Sequence, residues 1–429
     1  MTWIKFKAKD QNNFNLFLLL GFLFIIGCAN DESLTGLREP VLDNEVSYVK
    51  EKSSVKLKLN KPKNWNSWNS RGRTAKHDIG NLIFDRKEKN SHFRKSIGPK
   101  GIYVEPVVSG KEIYILTPNG YVVAYSTKGK FLWEMDVNPL KRKKRNTNIL
   151  GGLAIDKNNL IVTTSLGEIL SVDTKNRELN WRFDFKRPFR APPIIYKKKI
   201  YAVTGDDIAL SLNINGKLRW TKKGPQKTTK LMSAAAPAAS GNKIFFPFSG
   251  GSLMALNATN GLNLWSNNFE SSRVGESLST IGDFGGDPVI FGSRIYAISA
   301  FGEIFSSNLN GKVLWRNNIS GRSRLIVSGN SIFFISGDNN LVRIDSRTGK
   351  LLYKTDDLKT RKRIRFIGPL LVENKLLVYS DNGYMMWFDA ESGALIKEKN
   401  IGMKVSSPPI LVDMKIIFVS ANGMLNILN

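Results

Sequence analysis

Short runs of alternating apolar and polar residues fill most of this chain, and they predict β-strands. In the first clear unit we predict strands at 102–108, 113–117, 121–125 and 131–135. The pair Asn119-Gly120 separates the second and third runs, and both residue types tolerate the positive φ of a tight hairpin turn. Because the alternation has period 2 and turns are dense, a helical solenoid is excluded.

The unit repeats along the chain. A turn residue before the third strand marks each repeat, and neighbouring markers lie 38 to 51 residues apart. The eight markers are Gly120, Gly167, Asp207, Gly251, Gly302, Asn340, Gly383 and Gly423. Four-stranded repeats of this length are typical of propeller blades. We therefore predict an all-β fold, an eight-bladed β-propeller of four-stranded antiparallel blades.

Two further patterns concern how the blades meet. A Gly is followed four residues later by an aromatic residue in most units, as in Gly261 and Trp265, and we expect the rings to pack between neighbouring blades. The eighth unit has only two clear runs, 415–420 and 424–428, so its outermost strand is missing. We predict that an N-terminal strand at 91–96 completes the last blade, which removes two sheet edges.

The N-terminus has the pattern of an export signal. Three lysines precede an apolar run at 14–26, which is short for a membrane span and fits a signal peptide. The run ends in Gly27-Cys28, which resembles the lipobox of bacterial lipoproteins. We therefore predict a signal peptide at 1–27, a lipidated Cys28 with a flexible tether at 28–75, and the propeller at 76–429. Because Ala29 and not Asp follows the cysteine, the enterobacterial sorting rule favours the outer membrane, on its periplasmic face.

Composition narrows the chemistry. The formal net charge is +28, which indicates either an anionic partner or a surface rich in lysine, with a dense basic run at 141–145. Export argues against nucleic acid and leaves lipid headgroups, lipopolysaccharide or acidic protein surfaces. One cysteine excludes a disulfide within the chain, and two histidines give little material for a metal site or a Ser-His-Asp triad.

The repeat itself carries a family resemblance. The stretch GYVVAYSTKGKFLW at 120–133 resembles the PQQ-like repeat, which quinoprotein dehydrogenases share with the BamB family of lipoproteins of the outer-membrane β-barrel assembly machinery. The lipobox, the eight units and the length favour the BamB family. The segment at 65–77, with its Trp and His residues, is also similar to the region before the first blade in alphaproteobacterial members. This resemblance implies a non-catalytic scaffold without a cofactor that binds BamA and assists insertion of outer-membrane proteins, and that contacts unfolded clients.

The resemblance also implies where the partner binds. In the BamB family, loops on one propeller face hold BamA. The corresponding positions here are Leu231, Met232 and Asp283, of which Leu231 and Asp283 match the family pattern, while Met232 departs from it, as do Thr229 and Gly285 in the same loops. Both loops are long for a tight repeat, and long loops carry recognition. Arg273 lies in the second loop and is a further candidate, because Arg is favoured at interface hot spots.

Two other functions stay open at this point. A periplasmic propeller that binds polyanions or lipopolysaccharide would account for the positive charge. The second alternative function is a PQQ-dependent dehydrogenase with calcium. Those enzymes use adjacent cysteines and a cluster of metal ligands that this sequence does not offer.

Overall fold

The alternating runs of the sequence form short strands arranged as eight sheets. A computed structural model describes residues 55–84, 92–138, 149–225, 235–269, 283–356, 358 and 364–428. Within these ranges no helix is long and apolar enough to cross a membrane. Two strands precede the first blade, β1 (Asn81–Leu82) and β2 (His92–Ser96).

The blades follow one another in chain order. Blades one to four consist of β3 (Val107–Ser109), β4 (Glu112–Leu116), β5 (Tyr121–Ser126) and β6 (Phe131–Asp136); β7 (Gly151–Asp156), β8 (Asn159–Thr164), β9 (Glu168–Asp173) and β10 (Glu178–Asp184); β11 (Ile194–Tyr196), β12 (Lys199–Val203), β13 (Ile208–Asn213) and β14 (Leu218–Lys223); and β15 (Ala238–Ser240), β16 (Lys243–Phe248), β17 (Ser252–Asn257) and β18 (Asn263–Asn268). Blades five to eight consist of β19 (Val289–Phe291), β20 (Arg294–Ile298), β21 (Ile304–Asn308) and β22 (Val313–Asn317); β23 (Ile326–Ser328), β24 (Ser331–Ile335), β25 (Leu341–Asp345) and β26 (Leu351–Thr355); β27 (Phe366–Val372), β28 (Lys375–Ser380), β29 (Tyr384–Asp389) and β30 (Leu395–Asn400); and β31 (Ile410–Val412), β32 (Lys415–Val419) and β33 (Met424–Leu428).

Each blade is an antiparallel meander, as the sequence predicts. The first strands of neighbouring blades contact one another and surround the axis, while the fourth strands are the most exposed. The predicted first strand at 102–108 is shorter in the structure and begins at Val107. Pro106 lacks a backbone N–H, and the Glu105 carboxylate is used by another part of the chain, as described below.

The last blade is completed from the N-terminus. Strand β2 pairs antiparallel with β33, from His92 opposite Leu428 to Ser96 opposite Met424. This is the closure expected from the two-strand ending of the last unit. Phe93 on β2 packs against the first blade, where a Cβ added to Gly129 would lie 2.5 Å from its ring.

The Gly–aromatic marker is an inter-blade contact, which confirms the sequence prediction. Most fourth-strand Trp residues pack against the Gly in the turn before the fourth strand of the next blade, as Trp181 does against Gly216 and Trp265 against Gly311, while the second blade has Arg177 in place of that Gly. A Cβ on Gly261, for example, would lie 2.7 Å from the Trp220 ring. The Trp220 indole also donates a hydrogen bond to the Ala258 carbonyl at 3.3 Å, so the ring is fixed in position.

Residues 55–84, here called the N-terminal segment, lie inside the ring. Backbone hydrogen bonds connect the segment to seven of the eight blades. In chain order these are the sixth blade at Lys58, the eighth at Trp65, the first at Trp68, the second at Asn69, the fourth at Ala75, the fifth at Lys76 and the seventh at Leu82. Strand β1 adds a fifth, parallel strand to the seventh blade beside β27. The segment therefore winds once around the axis.

The prediction of a flexible tether up to residue 75 is therefore wrong for its last part. From residue 57 onward, apolar side chains of the N-terminal segment pack on the core, and Trp68 is fully buried. The reason is that the backbone of the segment is bonded to the first strands and the turns after them, which brings these side chains onto the core. The predicted signal peptide and lipobox at Cys28 lie outside the described residues.

Candidate partner-binding face

The propeller has two chemically distinct faces. Because strands alternate in direction within a blade, the turns between first and second strands and between third and fourth strands lie on one face. The N-terminal segment bonds to the turns after the first strands, at residues such as Asn330 and Asp413, so we call this the plug face. The opposite face carries the turns between second and third strands and the connections between blades, and we call it the loop face.

Two connections on the loop face are the ones singled out by the sequence. The first long connection runs between β14 and β15 at 224–237, and the second runs between β18 and β19 at 269–288. Of the predicted contact residues, Leu231, Met232 and Arg273 lie outside the described residues, as does the basic run at 141–145. Asp283 is described, and it belongs to the returning end of the second long connection.

Asp283 is buried, with only 6% of its surface exposed. Its Oδ1 accepts a hydrogen bond from the Gly250 N–H at 2.9 Å. Gly250 lies in the turn between β16 and β17 of the fourth blade and has a positive φ of 73°. The carboxylate therefore holds this turn against the second long connection.

The second long connection is held at both ends by aromatic packing. Phe269, its first residue, has its ring centroid 4.9 Å from that of Phe284 and 5.2 Å from that of Phe305. Close backbone contact follows directly, because a Cβ on Gly285 would lie 1.6 Å from the Gly321 carbonyl oxygen. Only glycine fits at this position, and the close approach of the second long connection to the connection between the fifth and sixth blades depends on it.

Asp287 joins the two long connections. Its Oδ1 accepts a hydrogen bond from the Ala236 N–H at 2.7 Å, and Ala236 lies at the end of the first long connection. Arg71 of the N-terminal segment binds the same carboxylate with two parallel contacts, of which Nε to Oδ2 is 2.7 Å long. Burial by itself would raise the pKa of Asp287, but the Arg71 charge and these hydrogen bonds hold that pKa below its ordinary value.

A second polar group lies near the axis and centres on Glu105. The carboxylate accepts hydrogen bonds from the Trp68 indole N–H at 2.6 Å and the Gly72 N–H at 2.9 Å, and it pairs with Arg324. His77 lies next to this group, and its Nδ1 donates to the Pro288 carbonyl at 2.8 Å. Burial lowers the pKa of His77, so the neutral imidazole is favoured.

Sequence reasoning missed these axial residues. Arg71 and His77 lie within the Trp- and His-bearing stretch at 65–77, and Asp287 follows Asp283 in the same loop, so the sequence points to both regions. The pairing itself joins positions 216 residues apart and leaves no local pattern.

The axial residues do not fit a quinone and calcium. Trp68 and His77 are buried, and the carboxylates of Glu105 and Asp287 are already paired with arginines. In the described part of the chain, no group of three or more His, Cys, Asp or Glu could hold a metal ion. The two ion-paired carboxylates therefore join parts of the chain that are far apart in sequence.

Comparisons with known proteins agree with this fold. A family model described as "Outer membrane protein assembly factor BamB" matches residues 118–355. A curated protein of that name from Moranella endobia is 21% identical over 75% of this chain and 83% of its own length. One from Burkholderia pseudomallei is 24% identical over 76% and 84%.

Solved structures show the same architecture. The crystal structure of BamB from Moraxella catarrhalis superposes with a TM-score of 0.65 at 18% identity, covering 79% of this chain and 98% of that one. A quinohemoprotein alcohol dehydrogenase from Pseudomonas putida reaches a TM-score of 0.62 at 12% identity, over 85% and 80%. At these identities the structures share the fold alone, and the loops decide the function.

Proposed function

The chain belongs to the BamB family of outer-membrane protein assembly factors, and on that basis we propose that it is a lipid-anchored, non-catalytic scaffold of the outer-membrane β-barrel assembly complex. In this proposal Cys28 is acylated and ties the propeller to the periplasmic face of the outer membrane. The loop face then binds BamA and thereby assists insertion of outer-membrane proteins.

The observation that carries the proposal is the junction of the two long connections at Asp287. Connections that recognise a partner must be held in one geometry, because ordering them on binding costs free energy. Here the Asp287 carboxylate, at the end of the second long connection, accepts a hydrogen bond from the Ala236 N–H at the end of the first. Loops on rigid scaffolds are the usual location of recognition residues.

Within this framework the predicted contact residues take two roles. Leu231, Met232 and Arg273 are proposed to touch BamA. Asp283 is proposed to act indirectly, because its buried carboxylate orients the Gly250 turn and is poorly placed for direct contact. An interface anchored by Leu and Arg beside a rigid turn matches the mixed apolar and polar character of protein recognition sites.

Absence of catalysis is part of the same proposal. Support comes from the axial residues, since the carboxylates of Glu105 and Asp287 are ion-paired and hydrogen-bonded and the neighbouring Trp68 and His77 side chains are buried. A general acid or base needs access to substrate, which these groups lack.

The test is recovery of BamA with the tagged lipoprotein from detergent-solubilised native outer membranes. We expect the wild type to recover BamA and Leu231→Asp to recover at least tenfold less. Leu262→Asp is the matched control, because Leu262 is 64% exposed and lies on the plug face. Failure of the wild type to recover BamA would refute the proposal, and equal loss in both variants would refute the assignment of the loop face.

A further inference from the structure

The N-terminal segment reaches across the ring to the partner-binding face. Arg71 belongs to a part of the segment that is bonded to the first and second blades, through Trp68 and Asn69. Its guanidinium, however, binds Asp287, which lies just before the fifth blade. A side chain held on one side of the axis thus contacts the junction of the two long connections on another.

We propose that Arg71 is a positioning residue for partner recognition, which fixes the ends of both long connections, at Ala236 and at Asp287, by orienting the Asp287 carboxylate. The proposal rests on the proposed function of the loop face. It assigns to the N-terminal segment a role in recognition in addition to filling the ring.

The geometry of the contact supports this role. Arg71 Nε binds Oδ2 and Nη2 binds Oδ1, and two parallel contacts fix the rotation of a carboxylate as one contact cannot. The fixed Oδ1 is the atom that accepts from the Ala236 N–H. Loss of the guanidinium would free the carboxylate to turn and would release the end of the first long connection.

Charge and burial make Arg71 hard to replace. The Arg71 and Asp287 side chains are 24% and 13% exposed. A carboxylate with so little access to water is costly without its counter-charge, so the chain would rearrange around Asp287 when Arg71 is removed. The rearrangement would reach both long connections, since Asp287 itself belongs to the second.

The segment offers a matched control two residues away. Arg73 also lies in the N-terminal segment and is partly buried, but its guanidinium donates to the Asp78 carbonyl at 2.6 Å within the same segment. It also stacks on Trp65, with its carbon 3.9 Å from the ring centroid. Replacing Arg73 therefore loosens the segment without touching the Asp287 junction.

The experiment compares Arg71→Met with Arg73→Met in the mature lipoprotein. Methionine keeps much of the apolar stem and removes the charge and the donors. We expect the affinity for detergent-solubilised BamA to fall about tenfold with Arg71→Met and to stay within about twofold of wild type with Arg73→Met. Arg71→Lys should fall between them, because an ammonium restores the charge without the parallel contacts.

Hydrogen exchange gives a readout that does not need BamA. With Arg71→Met, the backbone amides at 235–237 and 283–287 should exchange at least tenfold faster, and with Arg73→Met they should not change. Equal exchange and equal affinity in the two variants would overturn the proposal. If the wild type fails to bind BamA, the proposed function fails, and the exchange result alone still decides whether Arg71 positions the connections.

Discussion

Replacing Trp68 by Ala tests whether the N-terminal segment is an integral part of the propeller core. Trp68 is fully buried, and truncating a buried Trp to Ala costs about 3–5 kcal/mol in unfolding free energy. Loss of its indole hydrogen bond to the buried Glu105 carboxylate adds about 1 kcal/mol, the lower end of the range, because Gly72 and Arg324 still bind that carboxylate. The expected loss is about 4–6 kcal/mol, a large share of the stability of a typical domain.

The assay is urea denaturation followed by circular dichroism, with Trp65→Ala as the control. Trp65 lies in the same segment but is only partly buried, and its backbone bond to Asp413 survives the substitution. We expect Trp65→Ala to cost at least 2 kcal/mol less than Trp68→Ala. If Trp68→Ala stays within 1 kcal/mol of wild type, or if the two variants lose the same amount, the segment does not stabilise the ring as argued.

Two further predictions concern the blades and the axis. Gly261→Ala places a Cβ 2.7 Å from the Trp220 ring at a φ of 74°, and we expect it to lower the unfolding free energy measured in urea by about 2–4 kcal/mol. Gly241→Ala is the control, because Gly241 has a similar φ with open space around it, and it should lower the unfolding free energy by about 1 kcal/mol. Equal losses in the two variants would contradict inter-blade packing. Because burial lowers the pKa of His77, the unfolded chain binds a proton below pH 6.5 that the folded chain does not, so stability falls as pH falls from 7 to 5.5, by at most about 1.4 kcal/mol per pH unit. His77→Gln should flatten this slope and leave the smaller contribution of His92, because burial also lowers the pKa of His92. An unchanged slope would show that His77 does not cause the loss of stability at low pH.

Much of the ring could be predicted from sequence because its signals are local. Period-2 alternation places each strand, and a turn residue such as Gly120 marks each hairpin. The missing outer strand of the eighth blade could also be predicted, since an incomplete sheet needs a partner from elsewhere in the chain. The role of Phe93, which takes the place of a Trp against Gly129, was not predicted because its strand stands outside the repeat.

The N-terminal segment could not be placed from its sequence, because most of it is bonded through single residues and not through ladders. One signal is present: Val55, Leu57 and Leu59 alternate with lysines, and the structure packs Leu57 and Leu59 against the core. The pair of Arg71 and Asp287 depends on a circuit around the axis, which only the folded ring defines.

Asp283 shows the limit of transferring a site by resemblance. The residue type and its place in the loop were recognised, but burial and the bond to Gly250 depend on how the fourth and fifth blades meet. A motif records which residue is present, and the tertiary packing decides whether its side chain faces a partner or the protein itself.

Cross-linking in native outer membranes tests the central claim most directly. The cross-linker is lysine-reactive, and the products are compared at Lys227 and Lys230, which belong to the first long connection by sequence, and at Lys157 and Lys197, which are exposed in turns of the plug face. The scaffold account predicts that BamA is cross-linked through Lys227 or Lys230 and not through Lys157 or Lys197. Cross-links to BamA from the plug face alone, or none to BamA from either face, would contradict it.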